Sequence, residues 1–189
     1  MNQVLYDKLN YKKAYRDHRR APALWVLDHP EYMKDLIGFC FDGDKEISTK
    51  AIWSLEFVCR ERLSELYPFL NELVNYLPKA QNDGQKRTLS YLCELLCVAH
   101  YKKKDDKLEG VFTQVHKEKM TEACFDWLIN QEKVACEVRA MTALYYLGEE
   151  FDWIHTELAQ ILKRKMHSAS AGYKSRARHM LELMEKLRS

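Results

Sequence analysis

Several groups of side chains in this 189-residue chain have the types that site chemistry needs. Cys93, Cys97 and His100 stand at relative positions 0, 4 and 7, which puts two thiols and an imidazole on one helical face. Such groups can bind zinc, but a closed site needs a fourth ligand and usually a non-helical spacing. The preferred reading is core packing. Glu149, Asp152 and His155 offer oxygen and nitrogen donors, yet Asp152 stands where a helix needs a cap. No metal and no cofactor is therefore expected. Gly172-Tyr173-Lys174-Ser175 ends like a phosphate loop, but the upstream glycine of Gly-x-x-x-x-Gly-Lys-Ser/Thr and the preceding strand are missing. Neither His-Glu-x-x-His nor Gly-x-Ser-x-Gly occurs. The 7 histidines are scattered, with no nucleophile at a motif spacing. No catalytic residue is assigned, and the balance is against an enzyme.

The sharpest feature is a recurring basic position. Arg20, Lys50, Arg87, Arg139 and Arg176 are each followed at once by a small residue: Ala21, Ala51, Thr88, Ala140 and Ala177. Five positions after each comes a large apolar one: Trp25, Leu55, Leu92, Leu144 and Leu181. A cation row can grip phosphates or acidic side chains. It can equally bond a nearby aspartate or carbonyl at each junction, and Asp44 and Asp83 suit that structural role. Lys50, Arg87, Arg139 and Arg176 are the candidate binding residues.

These positions need helices to hold them. Apolar spacing is helical almost everywhere, with no sustained strand alternation. The clearest stripes run through 47–60, 84–99, 134–147 and 173–187. A second helix precedes each, over 30–41, 66–79, 115–130 and 152–167. Pro30 and Pro68 suit helix starts, and Asp44, Asp83 and Asp152 suit caps. The basic anchors are 30, 37, 52 and 37 residues apart. The unit is therefore 37, and the excess in the third interval matches the charged stretch 102–110. Residues 101–113 read as an exposed inserted loop, and 1–29 as a capping or decayed unit. The whole of 1–189 reads as a single domain.

Composition sets the outer limits. Hydrophobic residues make up 47% and charged residues 31%, as in a globular chain. No apolar run approaches the roughly 20 residues of a membrane span. Residues 1–20 are basic without an apolar core, so no secretory signal is expected. The 6 cysteines lie in helical stripes and form no Cys-x-x-Cys pair, which reads as buried thiols in a reducing cytoplasm. The net charge of +2 conceals basic ends and an acidic middle. Lys163-Arg164-Lys165 closes a helix, where its dipole favours cations. Tyr67, Tyr145 and Tyr146 could stack bases or hold a proline-rich peptide, but aromatics at helical spacing more often pack a core.

At this point the chain resembles a HEAT/armadillo-type α-solenoid. Glu137-Val138-Arg139-Ala140-Met141-Thr142-Ala143-Leu144 resembles the second helix of a HEAT unit. Leu66-Tyr67-Pro68-Phe69-Leu70-Asn71-Glu72-Leu73 resembles its proline-led first helix. The resemblance covers about 30–188. It implies an all-α, right-handed solenoid of about four to five helical hairpins, with second helices on the concave side. Lys50, Arg87, Arg139 and Arg176 would then occupy equivalent places on inner helices. The function implied is a non-catalytic scaffold that binds a protein or peptide on its concave face. The alternative is a nucleic-acid binder similar to the HEAT-like alkylpurine DNA glycosylases. Their catalytic aspartate and aromatic residues map onto no motif here, and the acidic middle disfavours a wide DNA cradle. A helical lyase of the fumarase/adenylosuccinate-lyase type would need a Ser-Ser-x-Met-Pro loop, which is absent.

Overall fold

The computed structural model describes residues 2–13 and 15–187, and every regular element among them is helical. Helices α1 (Gln3–Leu9) and α2 (Arg16–Asp28) form the first hairpin; α3 (Met33–Asp42) and α4 (Lys45–Glu61) form the second. Then come α5 (Leu70–Tyr76) and α6 (Asp83–Cys97), the short α7 (Asp106–Glu109), α8 (Gln114–Ile129) with α9 (Val134–Leu147), and α10 (Asp152–Lys165) with α11 (Ala171–Lys186). The second helices pack in series, α2 on α4, α4 on α6, α6 on α9 and α9 on α11. Behind them α5 packs on α3 and on α8. This is an all-α solenoid of stacked hairpins. One apolar cluster runs through it from Leu5 to Met184. A lone hairpin would leave its apolar face wet, so each unit is stable only against its neighbours.

Local chemistry explains most of the helix ends. Asp44 caps α4, its Oδ1 accepting the N–H groups of Glu46 at 2.9 Å and Ile47 at 3.1 Å. The other two expected caps are displaced by one residue. Asn82, not Asp83, accepts the Gln85 N–H at 3.0 Å and starts α6. Asp152 is the first residue inside α10, where its charge faces the helix dipole but caps nothing. The helix expected over 66–79 is divided. A 3-10 segment, Leu63–Phe69, precedes α5, and another, Leu77–Lys79, follows it. Pro68 and Pro78 lack the N–H that an α-helix interior needs.

The basic register holds in four units and slips in the first. Ala51, Thr88, Ala140 and Ala177 are fully buried, as the spacing requires. In α2 the buried set is Pro22, Ala23, Val26 and Leu27, while Arg20 and Ala21 are exposed. The position equivalent to Lys50 is therefore Ala21. One residue is about 100° of helix rotation, enough to turn Arg20 out of the row.

Residues 101–113 are not the exposed loop that their charge suggested. α6 runs on into a π-helical turn, Val98–Lys102, which buries Ala99 and Tyr101. Leu108 of α7 is fully buried and Phe112 is nearly so. The Tyr67 hydroxyl donates to Asp105 at 2.7 Å and ties the insertion to the 3-10 segment. Leu108 and Phe112 are one helical turn apart, a pair hidden among Lys102, Lys103, Lys104, Asp105, Asp106 and Lys107. Leu108→Ala is expected to lower stability in urea unfolding by about 2–3 kcal/mol. An exposed loop position would change it by no more than about 0.5 kcal/mol.

Candidate functional site

The face made by the second helices carries the basic series and most of the surface grooves. Its cations are largely spent on carboxylates. Lys50 pairs with Glu46 of its own helix at 2.6 Å. Arg87 reaches back one unit to Glu56 of α4 at 3.2 Å, and Thr88 donates to the same carboxylate at 2.9 Å. Arg139 reaches back in the same way to Glu94 of α6 at 2.7 Å. The partners are thus glutamates on the preceding unit or the same helix, not the expected Asp44 and Asp83. Asp44 is occupied as a cap, and Asp83 stands across from Lys133 at 3.9 Å. Glu56 is only 4% exposed and also accepts from Arg60 at 2.7 Å, so three donors hold a buried charge. The row is a staple between units as much as a surface.

Tyr91 of α6 was not singled out from sequence, yet it lies at the centre of this face. Its ring has the Arg139 guanidinium at 3.7 Å and the Arg60 guanidinium at 4.9 Å. This links α4, α6 and α9 through cation–π contacts. An aromatic residue one turn beyond Arg87 was the available signal. Arg176 differs from the rest. Its only hydrogen bond among the described residues goes to the neutral Thr142 hydroxyl at 3.3 Å, with no carboxylate opposite. Where the previous unit has Glu94, α9 has Tyr145 and Tyr146.

Beside Arg176 lie two open grooves. One, of about 430 Å³, has Leu95, Val98, Ala135 and Val138 between Tyr91, Glu94, Arg139 and Arg176. The next, of about 560 Å³, continues past Val134 and Val138 to Gly172, Ser175 and His179. The floor of the groove is apolar, and Arg139 and Arg176 stand in its walls.

The other sequence candidates serve the fold. Cys93 and Cys97 are buried, and burial pushes the Cys97 thiol well above its ordinary value, which disfavours a thiolate ligand. His100 sits apart from them, 3.4 Å from Glu150. Burial, then the Lys117 ammonium, holds its imidazole below the usual range, against the opposing pull of Glu150. His155 contacts the Tyr145 carbonyl at 2.8 Å rather than Glu149 or Asp152. Among the described residues no three metal-ligating side chains converge. Tyr67 is buried, Tyr146 stacks on Tyr101, and Tyr145 stacks on His155. In the basic end, Lys165 turns inward to the buried Glu137 and to the Leu128 carbonyl.

His116 was also missed. Its Nδ1 accepts the Thr113 N–H at 3.1 Å in a capping box, and its Nε2 meets the Asn71 side-chain oxygen at 2.9 Å. A neutral ring protonated on Nε2 satisfies both contacts. Burial lowers its pKa. With both His100 and His116 depressed, the unfolded chain takes up protons that the folded chain refuses below about pH 6.5. Stability is expected to fall as pH drops through that range, and to level off once the folded rings protonate. His116→Gln should reduce the slope of urea midpoint against pH.

The chain matches no curated protein and no solved structure. A family model described as a HEAT repeat domain matches residues 8–184. That span takes in α2, α4, α6, α9 and all but the last two residues of α11, with the ion pairs that join them. The stacked hairpins, one continuous core and repeated small-residue register agree with that match, and this chain belongs to the HEAT repeat domain family.

Proposed function

We propose that the chain is a non-catalytic scaffold that binds a protein or peptide on its second-helix face, the concave face of a HEAT solenoid. The observation that carries this reading is the apolar groove between α6, α9 and α11, walled by Tyr91, Arg139 and Arg176. Interfaces are built from apolar centres with aromatic and arginine anchors. A nucleic-acid cradle needs unpaired cations, and here Lys50, Arg87 and Arg139 already face carboxylates. Six free, buried thiols suit a reducing compartment and support a cytoplasmic location. No helix among the described residues is long and apolar enough to cross a membrane.

The test is capture from native cytoplasm by the chain and by Ala135→Glu and Arg176→Glu, two substitutions at groove positions that leave the core intact. A protein retained by the wild type and lost with both folded variants supports the reading. Recovery of nucleic acid and no protein, with binding that weakens steeply in salt, overturns it.

A further inference from the structure

A second cavity, of about 420 Å³, lies at the other end of the same face. Tyr11, Lys12, Lys45, Glu46, Lys50 and Trp53 line it, with Thr49 and Asn82 at its edge. It sits where the α1–α2 connection crosses the start of α4 and the cap of α6. The walls are aromatic rings and lysine stems, and the polar groups are unevenly matched. Asn82 Oδ1 already accepts from Gln85, and Thr49 already accepts from Asn82 and Gln85. Glu46 is held by Lys50. What remains is a positive balance, the lysines against the outer oxygen of the exposed Glu46. Neither Lys12 nor Lys45 has an ion-pair partner among the described residues. The Tyr11 hydroxyl and the Trp53 indole N–H are shielded from solvent without a hydrogen-bond partner. The Trp53 ring abuts α6 at Gly84, where a side-chain carbon would stand 3.0 Å from it. The Arg19 guanidinium lies over the same ring at 5.4 Å.

We infer that this cavity binds an organic anion in which one carboxylate is joined to a flat apolar group. The carboxylate meets Lys12 and Lys45, and the apolar part lies against Trp53 and Tyr11. The same chemistry occurs in a free aromatic acid and in an acidic residue beside an aromatic one in a peptide. The cavity shares Lys50 with the face proposed above. Binding of a small acid tests it without any protein partner, so its failure is separable from failure of the scaffold reading.

The experiment follows the indole N–H signals of the full chain by nitrogen–proton NMR, with the Trp53 signal identified by Trp53→Phe. The probes are indole-3-acetate, its neutral amide, and a capped peptide containing adjacent tryptophan and glutamate. Indole-3-acetate is expected to shift the Trp53 signal saturably at millimolar concentration, with the amide at least about fivefold weaker. Lys12→Ala with Lys45→Ala, both exposed and remote from the core, should weaken the acid about tenfold. Tighter binding of the peptide assigns the site to a protein partner, and tighter binding of the free acid assigns it to a small molecule. Equal binding of acid and amide, no effect of the lysine substitutions, or no Trp53 shift with either acidic probe overturns the inference.

Discussion

Lys165→Met is expected to lower stability by about 3–5 kcal/mol, the cost of leaving a buried charge unpaired. For a chain of this size that is roughly 10 °C in melting temperature. Lys165 closes α10 and reaches across to Glu137 of α9, which is 3% exposed. The ammonium also donates to the Leu128 carbonyl at 3.2 Å and lies 5.2 Å from the Tyr173 ring. Its removal leaves a carboxylate with no way to reach water. Lys163 and Arg164 are exposed neighbours in the same basic run, and Lys163→Met or Arg164→Met should each change stability by no more than about 0.5 kcal/mol. The double variant Lys165→Met with Glu137→Met replaces the pair by apolar groups and should recover most of the loss. Thermal and urea unfolding of all four proteins checks this. Equal effects at 163, 164 and 165 would mean that the basic end acts only through the helix dipole.

Leu144→Ala should cost about 3–4 kcal/mol, within the range for a buried leucine whose cavity cannot collapse. Leu144 is fully buried in α9, which packs against α6, α8, α10 and α11. Leu181 holds the same place in α11 but is only partly buried, in a helix that packs chiefly on α9 and α10. Leu181→Ala should therefore cost about 1 kcal/mol. In a stacked array, residues at one repeat position differ in energy by how many neighbours their unit has. Comparable losses at the two sites, measured by urea unfolding, would contradict that arrangement.

The range of an interaction decided whether the sequence made it legible. Helical periodicity located all four later second helices, because burial of one stripe acts within a helix turn. The cap at Asp44 was legible for the same reason. The caps at Asn82 and Phe151, each one residue from the expected place, show that local pattern tolerates a one-residue error that backbone geometry does not. Arg20 matched the basic series by letter but not by face. Only the packing of α2 on α4 selected which of its residues point inward.

By itself the chain's order of residues determined an all-helical repeat, its unit length and the equivalence of Lys50, Arg87, Arg139 and Arg176. These follow from side-chain volume and polarity repeated at a regular interval. Tertiary structure alone decided which carboxylate meets each cation, that Arg176 meets none among the described residues, and that Leu108 and Phe112 anchor an insertion rich in charge. It also placed Tyr11 beside Trp53. Such pairings join residues tens of positions apart, and the free energy that selects them comes from desolvation in the assembled core, which no local window of sequence contains.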